Sequence, residues 1–424
     1  MSSSESSLAI NGGPRAVQTD PGDIFSWPII TEEDEVAVLE VLRAGTMSNT
    51  DVTQKFEAEI VEWHGVDHAL CHNTGTAALH AAMWGCGVGV GDEIICPSLT
   101  YWASALPCLS LGATVVFADV DPDTICIDPA DIEHRITERT KAIIVVHYCG
   151  YPCDMDPIME IAKRHNVKVI EDVSHAHGGY YKGQLVGTIG DAGAMSIMSG
   201  KALPCGEGGF LITNDKYIYE KAVAFGHYGR TGQSLTFPDL QEFSGLPQGG
   251  QKYRMHQLSA AVGRVQLKHY GARLVEIQKS MNYFWDLLDG LPGVKAHRPS
   301  DPESTMGGWY AAHGLYRADE LDGLDIQAFC KAVAAEGCGI SAGCNFPLHL
   351  HPLLNDADIY GHGKPTRIAN TDRDVREGPG SLPVTESVPT SCYSIPWFKH
   401  YRPQVIEEHA QAIRKVVEHA GELQ

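Results

Sequence analysis

Two short apolar runs in this chain end in groups able to do covalent chemistry. Residues 167–170, VKVI, run into the acid pair Glu171 and Asp172. Residues 192–198, AGAMSIM, run toward Lys201 and the glycine turn GEGG. Open α/β sheets present their chemistry at the C-terminal ends of such strands. An amine placed there can form a Schiff base, and a carboxylate can hold a pyridinium nitrogen. Each group also has a plainer use. An acid at a strand end caps the next helix, and a lysine in a turn is ordinarily solvated.

The elements that must position these groups follow from the hydrophobic pattern. Apolar runs recur at 68–71, 93–96, 114–118, 142–147, 167–170, 192–197 and 209–213. Helical stretches separate many of them, as at 76–84 and 155–165. Such alternation predicts one mostly parallel, buried, seven-stranded sheet of the α/β class. Before it, Thr31 and Asp34 are spaced as an N-cap pair, Val38, Leu39 and Leu42 make an apolar face, and Gly45 ends the helix. A second helix over 52–64 carries Phe56, Ile60 and Trp63 on one side. A long helix over about 256–288 links this large domain to a smaller α+β one, with 309–316 strand-like, 326–336 helical and 403–420 a closing helix. The expected division is a disordered tail at 1–7, a large domain at 8–280 and a small domain at 281–424. Residues 361–390, rich in Gly, Pro, Ser and Thr, read as a long loop or insertion.

At 72–79, HNTGTAAL sets Gly75 and Thr76 between a strand and a helix, where free N–H groups and the positive dipole end can cradle a phosphate. An ordinary capped turn has the same look. GVGVGD at 87–92 precedes a strand instead of opening a helix, so it is no dinucleotide loop.

Composition narrows the class. The chain has 424 residues, 43% hydrophobic, with a formal net charge of -21 and no lysine/arginine cluster. Nucleic acid and anionic membrane surfaces are therefore poor partners. Twelve cysteines are scattered without a CxxC pair, which argues against a metal site and for reduced thiols in a cytoplasmic protein. The N-terminal MSSSESS lacks a signal-peptide pattern, and no apolar run approaches the roughly 20 residues of a membrane span.

EDVSHAHG at 171–178 followed by SIMSGKALPCGEGG at 196–209 resembles the DegT/DnrJ/EryC1/StrS family of sugar aminotransferases. The resemblance runs from about Leu8 to the C-terminus. It implies the aspartate-aminotransferase fold (PLP fold type I), pyridoxal 5'-phosphate (PLP) as cofactor, and a homodimer with shared active sites. It implies Lys201 as the Schiff-base lysine, Asp172 at the ring nitrogen, His175 beside the 3-hydroxyl, and Ser196 with Gly75 and Thr76 at the phosphate. Tyr101, in SLTYWASA at 98–105, falls where the family stacks an aromatic on the ring. In GQKYRM at 250–255, Lys252 replaces the family asparagine that reaches the partner's phosphate. His349, in NFPLHLHP at 345–352, matches a histidine near the substrate. The implied reaction moves an amine from glutamine or glutamate to a keto-sugar or keto-cyclitol. The N-terminal NGG and EDVSHAHG favour a keto-inositol or a 3-amino-5-hydroxybenzoate synthase-like activity. Two rivals are a PLP-dependent deoxysugar dehydratase, which in the family replaces the lysine with histidine, and a non-catalytic PLP-binding regulator.

Overall fold

The computed structural model describes residues 7–423. Most of the tail expected at 1–7 lies outside the described residues; Ser7 donates to Glu422 at 3.4 Å. The seven apolar runs form the seven strands of one sheet. These are β1 (His68–His72), β2 (Glu93–Pro97), β3 (Thr114–Ala118), β4 (Thr140–Val146), β5 (Lys168–Asp172), β6 (Ala192–Ser196) and β7 (Gly209–Thr213). Along the sheet the order is β1-β7-β6-β5-β4-β2-β3. Only β7 runs antiparallel to its neighbours, β1 and β6. The C-terminal ends of the other six therefore meet at one edge. β2, β3 and β7 are buried along their whole length, as continuous apolar strands covered on both faces must be.

A second, antiparallel sheet joins Val294–Ala296, His313–Tyr316, Cys392–Ser394 and Ser341–Ala342, in that spatial order. Helices Ile326–Ala335 and Pro403–Glu418 contribute Phe329, Val333, Ile406 and Ile413 to its core. The helix Gln257–Asp286 spans both units. Leu267 and Tyr270 join the core of the large sheet, and Ile277, Met281 and Phe284 that of the small one. Leu8 and Ile24, which the expected division puts with the large domain, are buried in the small-domain core.

The segment 361–390 is a strap along the edge strand β3. Fully buried Arg367 donates through Nε to the Val115 carbonyl at 2.8 Å, pairs with Glu377, and lies 4.6 Å over the Phe117 ring. Asp119 accepts from the N–H groups of Val384 and Thr385 at 3.1 and 2.7 Å. The strap thus covers an edge that would otherwise offer unpaired backbone groups.

Thr31 and Asp34 form the expected capping box on helix Glu32–Ala44, and Gly45 closes it in the left-handed region at φ 66°. Its expected apolar face does not turn inward. Val41 is buried, while Leu39 and Leu42 are 40% and 43% exposed. Periodicity finds an apolar stripe but does not say what covers it.

Candidate active site

The strand period of two sends the acid pair to different tasks. Glu171 is fully buried and accepts from the N–H groups of Gly187, Ile189 and Gly190 at 2.7, 2.8 and 2.6 Å, and pairs with His147 at 3.0 Å. It pins the turn that leads into β6. Asp172 stands at the open edge, with Ser104 Oγ donating to its Oδ2 at 2.7 Å and the Ser174 N–H to its Oδ1 at 3.0 Å. Ser104 in turn meets Thr100 at 3.0 Å. These donors fix the carboxylate plane without neutralising it.

Lys201 is 9% exposed and sits just past the end of β6. Its carbonyl accepts from Trp27 Nε1 at 2.8 Å, which holds the turn. Its Nζ lies 4.0 Å from the centroid of the Tyr310 ring. Burial pushes the amine down to about 8, while the negative charge of Asp172 acts the other way. Near neutral pH such an amine reaches its nucleophilic form far more often than an exposed lysine at about 10.4.

His175 is held on one side by chemistry and on two by rings. The Cys149 N–H donates to Nδ1 at 3.2 Å, which places the ring proton on Nε2 as a free donor. Tyr148 and Tyr310 flank the imidazole at 5.6 and 4.9 Å. Burial first, then the charge of Lys201, holds His175 well below the usual histidine range, so it is neutral. His177 is pushed down to about 3 by the same causes.

Gly75 opens the helix Gly75–Gly85 directly against β6. A Cβ on Gly75 would lie 2.5 Å from Ser196 Cβ, so only glycine permits this approach. Thr74 caps the helix by accepting from Ala77 N at 3.0 Å. Among the described residues, the N–H groups of Gly75 and Thr76 donate to no protein acceptor. Gly75, Thr76 and Ser196 thus gather at one helix N-terminus, a site for an anion.

Of three further predicted residues, Tyr101 is exposed near Tyr310, His349 is engaged elsewhere and Lys252 lies apart. Tyr101 is 51% exposed and tilts against Trp102 at 5.0 Å. His349 is fully buried, with Nδ1 on Ser98 Oγ at 2.7 Å and Nε2 on Glu386 Oε1 at 3.1 Å. Both ring nitrogens are spent on the protein, so His349 ties the strap to the Ser98 end of β2. Lys252 is exposed and lines a separate depression of about 410 Å³ with Ser48, Asn49 and Arg254. Sequence reasoning missed Ser104, Tyr148 and Tyr310. Residues 309–316 read as one strand, but the strand is His313–Tyr316, and Trp309 and Ala311 turn the chain at φ 57° and 54°.

A buried amine, a fixed carboxylate, a neutral histidine and an anion cradle therefore share one sheet edge. The sequence profile of the DegT/DnrJ/EryC1/StrS aminotransferase family matches residues 28–414. The chain belongs to that family. A GDP-perosamine synthase of Caulobacter vibrioides is 41% identical over 333 residues, 76% of this chain and 86% of that protein. An L-glutamine:2-deoxy-scyllo-inosose aminotransferase of Streptomyces kanamyceticus is 33% identical over 365 residues, 83% of each chain. The crystal structure of an aminotransferase from Psychrobacter cryohalolentis superposes with a TM-score of 0.80 at 27% identity, covering 93% of this chain and 99% of that one. The protein is an aminotransferase of the DegT/DnrJ/EryC1/StrS family, and the family implies pyridoxal phosphate as its cofactor. The residues present fit that group: free N–H groups for a phosphate, an oriented carboxylate for a ring nitrogen, and a buried amine for a carbonyl carbon. Among the described residues there is no cluster of metal-ligating side chains and no helix long and apolar enough to cross a membrane.

Proposed function

We propose that this cytoplasmic enzyme aminates a ring ketone of a sugar or cyclitol, taking the amino group from glutamine or glutamate. The observation that carries this reading is the Lys201 amine, buried and, among the described residues, without a hydrogen bond or ion pair, beside the oriented carboxylate of Asp172. Gly75, Thr76 and Ser196 would hold the cofactor phosphate. Asp172 would hold the ring nitrogen, His175 Nε2–H would face the 3-hydroxyl, and Tyr101 would lie against the ring. Bound there, the pyridine ring supplies an electron sink for the pair left when a C–H bond of the donor breaks. Lys201 Nζ would take up that proton and redeliver it within the same half-reaction, and would run the reverse transfer when the acceptor occupies the site.

A lysine at 201 also counts against the dehydratase reading. For the acceptor, the motifs favour a keto-inositol. The 41% identity to a GDP-perosamine synthase favours a nucleotide keto-sugar as the second reading. Incubating the enzyme with glutamine or glutamate and a panel of keto-cyclitols and nucleotide keto-sugars decides between them. One product heavier by the exchange of oxygen for an amine is expected, identified by mass; no aminated product across the panel sinks the proposal.

The outward apolar face of helix Glu32–Ala44 supports a homodimer. Val36, Leu39 and Leu42 are 48%, 40% and 43% exposed, and a groove of about 870 Å³ against the same helix mixes Val36, Val41, Trp63 and Val265 with charged Glu40 and Arg264. In that dimer Lys252 reaches the partner's phosphate as a point charge. Mixing Lys201→Ala with Lys252→Ala protein under subunit exchange should restore part of the cofactor binding and activity, since one site of each hybrid is intact. Demonstrated exchange without recovery would place the Lys252 contact within its own subunit or nowhere.

A further inference from the structure

The Lys201 ammonium group has three donors to satisfy. Among the described residues Nζ makes no hydrogen bond and no ion pair, and its one defined contact is the face of Tyr310 at 4.0 Å. A buried cation without a counter-ion is costly unless something polarisable or charged faces it. Tyr310 is held in place from several sides. Trp309 and Ala311, on either side of it, occupy the left-handed region at φ 57° and 54°. Neither is glycine, and such conformations persist only where the surroundings over-determine them. Trp309 is 1% exposed and donates from Nε1 to Gln278 at 3.0 Å, which fixes the turn. The Tyr310 ring tilts on His175 at 4.9 Å and stands at 89° to Trp397, 6.2 Å away.

We propose that Tyr310 is a positioning residue: its π-face is the resting place of the protonated Lys201 amine whenever that amine is not linked to the cofactor. The proposal rests on Lys201 being the proton carrier of the reaction. Lysine must pick up a proton in a dry site and keep its place until it delivers it. An aromatic face stabilises the charge without offering an acceptor that would take the proton away. The other groups around the amine do not supply a direct partner. Asp172 raises its proton affinity through space, without a hydrogen bond to it, and the buried Cys149 is a neutral thiol. His175 and His177 are neutral, and Tyr101 neighbours the Tyr310 phenol. Because the ring face acts, the Tyr310 hydroxyl is dispensable for this role.

The test reads the amine itself. Full-length protein, both freed of cofactor and loaded with its amino form, is pulse-acylated across neutral to alkaline pH, and modification of Lys201 is followed by mass spectrometry. The wild-type midpoint is expected near about 8. Tyr310→Leu should lower it by about half to one pH unit, and Tyr310→Phe should leave it in place. Fluorinated phenylalanines at position 310, which keep the shape and weaken the ring's negative face, should lower it stepwise. A flat fluorination series, or a Tyr310→Phe midpoint as low as that of Tyr310→Leu, overturns the proposal. The series decides even if the leucine variant does not fold. Borohydride trapping in the wild type keeps the two claims apart. Linkage to another lysine sinks the role of Lys201, whereas linkage to Lys201 with a flat series sinks Tyr310 alone.

Discussion

Lys201→Ala protein loses the covalent link to pyridoxal phosphate and falls in turnover by about 10³- to 10⁴-fold or more. Two losses combine in that figure. A positioned proton carrier contributes about 10²–10⁴ to rate, and the covalent attachment that presents the cofactor to the donor goes with the same amine. Cofactor binding should weaken less, because the N–H groups of Gly75 and Thr76 and the carboxylate of Asp172 are untouched. The variant should fold. Among the described residues the Lys201 side chain makes no hydrogen bond, and the contact that holds its turn uses the backbone carbonyl, which accepts from Trp27. The measurement is borohydride reduction followed by peptide mapping, beside single-turnover kinetics. Wild-type protein should carry the reduced cofactor on Lys201 and the variant on none. A variant that still fixes the cofactor, or turns over within tenfold of wild type, shows that another amine does the work.

The residues legible in the sequence share one property: they sit at the ends of strands whose apolar runs are unmistakable. Asp172 and Lys201 follow β5 and β6, and Gly75 follows β1, so finding the strands finds the edge. What stayed hidden depends on contacts distant in sequence or on backbone angles without a residue signature. Ser104, which orients Asp172, lies 68 positions from it. Tyr310 enters the site because Trp309 and Ala311 turn left-handed, and neither residue type announces that turn. Residues 361–390 look like a solvated loop by composition, yet Arg367 within them is fully buried against β3. A charged residue reads as surface until its partners are known. Helix Glu32–Ala44 shows the converse, since its cap was plain while its apolar stripe turned out to face away from the core.

Asp172→Asn should lower turnover by about 10²–10³ while leaving donor binding nearly unchanged. Asparagine keeps the size of the side chain and one acceptor oxygen, so Ser104 or the Ser174 N–H can still be met. What disappears is the negative charge that keeps a bound ring nitrogen protonated. That charge matters most when the donor C–H bond breaks and electrons move toward the ring. Its removal therefore falls on kcat rather than on the Michaelis constant for the donor. The same substitution has a second, independent readout at Lys201. Asp172 raises the proton affinity of the Lys201 amine against the downward push of burial. Without that carboxylate the ammonium form loses stabilisation, and the acylation midpoint of Lys201 should fall below about 8. A merely structural aspartate would not move the lysine midpoint in an otherwise well-folded variant. Donor half-reaction rates equal to wild type would remove Asp172 from the chemistry, and an unmoved lysine midpoint would remove its charge from the electrostatics of the amine.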